Sequence, residues 1–374
     1  MNKRVFVNEA PGAVLKSEVA ALLQNFLEEV SWVKASRAEA VAGADFAMQV
    51  GGADGRLVRF LVYLKTDLRP SAFSAWAEAR PRLADSVPVL ALPVVSPRLA
   101  ELCRRHDWSW LDLAGNCWLD APGLLRIERS GAPPRQRVPR RGSSLKTPAA
   151  ARVLRVLLSP AHAGRKWTQR TLQVGTGSQL PTEKPVSLGL VNKVIQHLRD
   201  QGFVEAVDAG LRLRDPVGLL AAWRGAYRLD DRQRLSLFTL LKPKPLSEAM
   251  HRAATEFGVA CAYAAFSAAE RQAPQVRQPR TWVYVCADHL DDFVRLAEAK
   301  QVETGENLVV LLPGDPGVFQ AFEPPHGDGG REIGCTDPVQ TYVDLIKLGG
   351  RGEEAAQAIL EQRLLEAWKE AGIA

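Results

Sequence analysis

Between Ser130 and Lys146 the chain reads SGAPPRQRVPRRGSSLK, and no other stretch restricts the fold as strongly. Its prolines and glycines break regular backbone pairing, its cations repel one another, and it offers no apolar face to bury. Such a stretch reads as an extended basic linker. One hydrophobic core cannot pass through it, and 374 residues are enough for two or three separate cores. The expected layout is a domain over 1–130, the linker over 131–146, a middle domain over 147–228 and a last domain over 229–374. The final boundary falls after Tyr227, where RLDDRQR interrupts the apolar pattern.

Charge follows the same division. The formal net charge is +6, yet Ser130–Arg228 holds 17 Lys/Arg against 5 Asp/Glu. That surplus of twelve leaves the rest of the chain net negative by six. A basic segment between acidic flanks is the electrostatic footprint of nucleic-acid binding, so double-stranded DNA is the expected partner. The linker cations Arg135, Arg137, Arg140 and Arg141, with Lys146, could track a groove as a flexible arm or merely keep the linker extended.

Composition removes several classes. The chain is 46% hydrophobic and 24% charged, as in ordinary soluble domains. It has no apolar run of membrane-spanning length, and the opening MNKRVFVNEAPGAV lacks the apolar core of a secretory leader. Cys103, Cys117, Cys261, Cys286 and Cys335 show neither CxxC nor Cys/His ligand spacing, which argues against zinc and a disulfide framework. A reduced, cytoplasmic protein without membrane attachment is expected.

The first 130 residues read as an α/β layer. KSEVAALLQNFLEEV is an amphipathic helix, DFAMQV and RLVRFLVYLK form a hairpin about GGADG, and SAFSAWAEARPRLA is helical. VPVLALPVV is a buried strand, and SPRLAELCRRHD is a helix capped by Ser96 with Pro97 at its first position. WLDLAGNCWLD then supplies a short strand pair. Its Asp112, Asn116, Cys117 and Asp120 could pass for a catalytic cluster. Gly115-Asn116 is turn chemistry, however, with Asp112 tying the turn through backbone N–H groups and Asp120 capping the next element. Cys117 has no nearby base.

The layout around Asp45 and VYLK, ending at Lys65, resembles the PD-(D/E)xK nucleases, which hold a divalent metal between such residues. Tyr63 stands where the second acid belongs, and a neutral phenol is a poor ligand for Mg²⁺. The expectation is a nuclease-like scaffold without its metal site, the alternative being a metal-dependent nuclease. No Walker loop, GxSxG or HExxH occurs, and the Gly-rich PGDPGVF and GGREIG read as ordinary loops. No enzyme activity and no cofactor are expected.

The middle segment reads as a winged helix-turn-helix: TPAAARVLRVLLSP, TQRTLQVG, SLGLVNKVIQHLRDQG, then two strands in FVEAVDAGLRLRD. In the third helix Leu188, Val191, Ile195 and Leu198 form the expected buried stripe, turning Ser187, Asn192, Lys193, Gln196 and Arg199 outward. Asn and Gln can pair with adenine, Lys with guanine, and Ser with phosphate. Thr168, Gln169 and Arg170 open the second helix and could grip a phosphate. Arg212 and Arg214 alternate on the wing's second strand, facing the backbone or minor groove. GTGSQLPTEKPV is long for the turn before the third helix.

The last domain mixes helices and short strands as an α+β unit. Within DPVQTYVDLIKLGGRGEEAAQAIL, Val339, Tyr342, Val343 and Ile346 share a buried face, and Arg351 is placed to pair with Glu353 or Glu354. Together DLAGNCWL, LRDPVGLLAAWRGAY and this helix pair resemble the long AbiEi-type antitoxins of abortive-infection, type IV toxin–antitoxin systems, over nearly the whole chain. The resemblance implies a DNA-binding transcriptional regulator, often of its own operon, with a nucleotidyltransferase-like toxin or other operon partner. The flanking domains would form a homodimer, add DNA contacts or bind that partner. A replication or maintenance protein of plasmids or mobile elements is the alternative regulator-like reading.

Overall fold

In a computed structural model, the structure describes residues 11–134, 145–177, 184–208, 210–229, 234–320, 322–323 and 333–374. The chain is a mixed α/β protein that divides into two compact units, the first reaching the linker and also taking in Asp200–Gly202. Among the described residues no helix is long and apolar enough to cross a membrane.

The first unit comprises α1 (Pro11–Glu28), β1 (Val33–Ala35), β2 (Phe46–Gly52), β3 (Leu57–Leu64), α2 (Pro70–Glu78), β4 (Ser86–Leu92), α3 (Pro97–Arg105), β5 (Ser109–Asp112), β6 (Cys117–Ala121) and β7 (Leu125–Arg129). The seven strands lie in chain order in one sheet. The β3–β4–β5 pairings are parallel and the others antiparallel. Strand alternation sends Phe46, Met48, Phe60 and Val62 to the α1 side, while Leu61, Tyr63 and Leu90 meet α2 and α3. Ser96 caps α3 as its sequence predicts, accepting from Leu99 N. Periodicity misses β1 and β7, because three- and five-residue edge strands carry too few alternations to stand out.

WLDLAGNCWLD is the β5–β6 turn. Asp112 is buried, and its Oδ1 accepts from Ala114 N at 2.9 Å and Asn116 N at 3.0 Å. Asn116 Nδ2 donates to Ala132 O, and Ala132 N donates back to Asn116 Oδ1. Gly115 takes the left-handed conformation at φ +98°. Burial pushes the Cys117 thiol up to about 11. Asp120 does not cap a following element. It pairs with Arg126 at 2.9 Å across the β6–β7 hairpin, whose second strand no periodic pattern marks.

The second unit begins with α4 (Pro148–Leu158), α5 (Gln169–Gly175), α6 (Leu188–Asp200), the antiparallel pair β8 (Val204–Val207) and β9 (Gly210–Leu213), and α7 (Pro216–Ala226). There follow β10 (Arg234–Thr239), α8 (Pro243–Glu256), β11 (Cys261–Tyr263), α9 (Ala265–Gln272), β12 (Thr281–Val285), α10 (Leu290–Leu296), β13 (Ala299–Gln301), β14 (Leu308–Leu311), β15 (Phe322–Glu323) and β16 (Cys335–Thr336). The chain closes with α11 (Pro338–Leu348), α12 (Arg351–Ile359), a π turn and α13 (Glu366–Glu370). Strands β10 to β16 form a sheet in the order β13-β10-β14-β12-β11-β16-β15. One face packs on α8 and α10. The other carries α9, α11 and α12, and a single apolar core runs from that face into α4–α7.

PGDPGVF, expected as an ordinary loop, comes after β14 and forms a short 3-10 turn in which Asp315 accepts from Gly317 N. The glycines after α11 permit a tight reversal, with Gly349 and Gly350 at φ +66° and +52°. At Gly352 a Cβ would lie 2.3 Å from Leu345 O, so glycine lets α12 approach α11. Arg351 donates to Arg277 O at 3.4 Å rather than pairing with Glu353 or Glu354 as expected. The turn points its guanidinium at that carbonyl instead.

Candidate nucleic-acid interface

Local chemistry sets the helices of residues 145–229. Thr147 accepts from Ala150 N and caps α4, with Pro148 supplying the first helical position. Thr168 and Thr171 form a reciprocal capping box on α5, in which each hydroxyl accepts from the other residue's backbone N–H at 3.0–3.1 Å. The Thr168 hydroxyl is thus already engaged. Ser187 Oγ accepts from Leu190 N at 3.4 Å at the start of α6.

Trp167 pairs with Leu211 in both directions at 2.8 Å, adding a third short segment to the β8–β9 hairpin. Gly210 is required there, because a Cβ at its φ of +143° would sit 2.1 Å from Trp167 O.

On α6 the buried stripe is Val191, Val194, Ile195 and Leu198. Leu188, expected to be buried, is 40% exposed, as is its neighbour Leu190 at 45%. The first turn of α6 extends past the apolar core, so periodicity places Leu188 on the right azimuth beyond the packed region. Ser187, Asn192, Lys193 and Gln196 are exposed, and Arg199 is half-buried. Gln169 Nε2 donates to Asn192 Oδ1 at 3.0 Å, joining the start of α5 to the polar face of α6. Arg170 and Lys146 are exposed.

Arg212 does not project freely. Its guanidinium grips Glu205, its cross-strand partner, through Nε at 3.1 Å and Nη2 at 2.5 Å. Both groups are half-buried and keep one side open to solvent, so the pair can be exchanged for a phosphate at modest cost. Arg214 is exposed. Arg140 and Arg141, with Arg135 and Arg137, lie outside the described residues. Sequence patterns do not single out Arg165 and Lys166, exposed cations beside Trp167, because no periodicity marks them. Arg165 lies over the Trp167 ring at 4.2 Å.

A second polar cluster joins α4, Tyr227, β12 and α11. Fully buried Asp344 of α11 accepts from Tyr227 OH at 2.6 Å, Gln340 Nε2 at 2.8 Å and Tyr284 OH at 3.1 Å. Arg155 Nε donates to Gln340 Oε1 at 2.7 Å. Burial raises the Asp344 carboxyl to about 6, although the hydrogen bonds from Tyr227, Gln340 and Tyr284 and the Arg155 charge act in the opposite direction. Arg152 holds Asp315 by two-pronged contacts at 2.9–3.0 Å, and Ser159 donates to Asp337 at 2.6 Å. These contacts fix α4 to α11 and to the loop after β14. The only sequence signal for them is a Gln and an Asp four residues apart inside an otherwise apolar helical pattern.

In the first unit Asp45 does not face a partner acid. Its Oδ2 accepts from Leu64 N at 2.7 Å, and Tyr63 is buried against Trp76 and Trp108. Among the described residues no group of three or more His, Cys, Asp or Glu is placed to hold a metal.

Residues 212–365 match the family model described as "Transcriptional regulator, AbiEi antitoxin, Type IV TA system". The match runs from the end of β9 through α7 and the C-terminal sheet to the π turn before α13, including VQTYVDL. DLAGNCWL and α4–α6 lie outside it. No curated protein and no solved structure matches the chain. Over residues 212–365 the chain is therefore similar to the AbiEi-type family of transcriptional regulators and antitoxins.

Proposed function

We propose that this chain is a sequence-specific double-stranded DNA-binding regulator of the antitoxin type that reads DNA through a winged helix at 147–228. The observation that carries the reading is the polar face of α6. Asn192, Lys193 and Gln196 stand exposed on one side while the other side anchors the helix in the core. Residues of this type can form paired hydrogen bonds with base edges in the major groove. Gln169, bonded to Asn192, pre-orients that amide from the neighbouring helix. The exposed cations Arg170, Lys193 and Arg214, with Lys146, would supply phosphate contacts that fix the register.

The family match over 212–365 supports regulation and a toxin partner; a nucleotidyltransferase-like toxin is the partner we propose, bound by the last domain at 229–374. For 1–130 we propose a non-enzymatic, nuclease-like scaffold. Supporting it are the element order α1-β1-β2-β3-α2-β4, the use of the Asp45 carboxylate by a backbone amide, and Tyr63 in place of an acid.

Selection of bound duplexes from random DNA tests the central reading. Enrichment of one motif is expected. Asn192→Ala with Gln196→Ala should then cost that motif about 10- to 100-fold, the equivalent of about 1–3 kcal/mol for one bidentate base pairing removed, while non-motif DNA binds nearly as before. Equal loss on every sequence, or no enriched motif, would overturn the assignment of α6.

A further inference from the structure

Strands β12 and β14 are adjacent and parallel, but the chain leaves them toward opposite faces of their sheet. After β12 it runs to α10, which packs on one face. After β14 it enters the 3-10 turn whose Val318 and Phe319 join the core on the other. Divergence of this kind opens a crevice at the carboxyl ends of the strands, a place where α/β sheets bind ligands. Here the crevice is a cavity of about 280 Å³ among the ends of these strands, α4 and α7. Its lining includes Tyr227, Tyr284, Arg155, Asp315, Lys146 and Arg228.

The chemistry of the lining is specific. Arg155 is 5% exposed, and its Nη1 makes no hydrogen bond, lying 3.7 Å from Asp315 Oδ1. Asp315 already answers Arg152 through both oxygens. Nη1 is closed off by its neighbours and meets Asp315 through charge alone, so the guanidinium keeps donor capacity on its remaining edge for an acidic group in the crevice. The hydroxyls of Tyr227 and Tyr284 are both engaged by Asp344, so their rings present apolar faces rather than donors. At the rim Arg228 and Lys146 are exposed. These two cations place positive charge at the mouth of the crevice. The volume lies just below the usual range for ligand sites and suits a small anion that carries a flat ring system.

We propose that the crevice binds a small organic anion with a flat ring, of mononucleotide or aromatic-carboxylate size, its acidic group on Arg155 and its ring against Tyr227 and Tyr284. The site is separate from the polar face of α6.

The test is calorimetric titration of the full chain with three sets of probes: AMP, GMP, CMP and UMP; benzoate and salicylate; and inorganic phosphate. One organic set is expected to bind saturably at one site, and which set binds identifies the source of the acidic group. Phosphate alone should bind at least about 10-fold more weakly. Arg155→Gln should weaken the preferred probe by about 10-fold or more, the loss typical of a charge-assisted hydrogen bond. Arg228→Gln, a rim change that leaves the core intact, should weaken it several-fold, and it decides the matter if Arg155→Gln does not fold. Saturable binding by none of these probes, phosphate as tight as every organic probe, or affinity unchanged in Arg228→Gln would overturn the proposal. Because no readout involves DNA, the outcome is independent of the assignment of α6.

Discussion

Asp344 offers the sharpest physical prediction. Its carboxyl is enclosed by Tyr227, Tyr284 and Gln340, and burial raises it from 3.8 in the open chain to about 6 in the fold. The folded state thus holds this proton more tightly than the unfolded state. The stabilisation from that proton is complete below the unfolded value and is lost as pH rises through about 6. A shift of roughly two units corresponds to about 3 kcal/mol at 1.36 kcal/mol per unit. Asp344→Asn keeps the shape and one carbonyl acceptor but cannot ionise. Urea unfolding of both proteins at steps from about pH 4 to about pH 7.5 isolates this group, since all other titrations cancel in the difference. The unfolding free energy of the variant minus that of the natural protein should rise by about 2.5 kcal/mol across this range, with its steepest part between the two values. A difference that stays flat, or that falls with pH, would refute the argument that desolvation dominates at Asp344.

The helical segment yields two more expected outcomes. Replacing Arg212 and Arg214 with Ala should weaken binding to every duplex and reduce the dependence of log affinity on log salt by about 0.9 for each phosphate no longer neutralised. An unchanged slope in a filter-binding series would remove the hairpin from the interface. Gly210→Ala must push apart the Trp167–Leu211 pairing, because its Cβ would lie 2.1 Å from Trp167 O. A loss of more than about 2 kcal/mol in urea unfolding is expected from such a backbone clash, and wild-type stability would show that the close approach is not required.

Local chemistry made much of the chain legible from its sequence. Ser96, Thr147 and Thr168 cap their helices because a short hydroxyl side chain beside an amphipathic run has a nearby orphan N–H to satisfy. Asp112, Gly115 and Asn116 specify a turn through bonds that span only a few residues, and so WLDLAGNCWLD resolved as structure rather than catalysis. The 3.6-residue period marked the outward face of α6.

Tertiary structure decided whatever depended on partners distant in sequence. Periodicity gives the azimuth of Leu188 but cannot show where the packed core ends along the helix axis. Arg212 meets Glu205 only because the hairpin register makes them opposite, and Arg351 finds the carbonyl of Arg277 rather than an acid on its own helix. The buried circuit of Arg155, Gln340, Asp344, Tyr227 and Tyr284 is closed by hydrogen bonds between residues up to 185 apart in sequence. No local pattern encodes such a circuit. It exists because a charge carried into a low-dielectric core must be satisfied by whichever polar groups the fold brings within hydrogen-bonding distance.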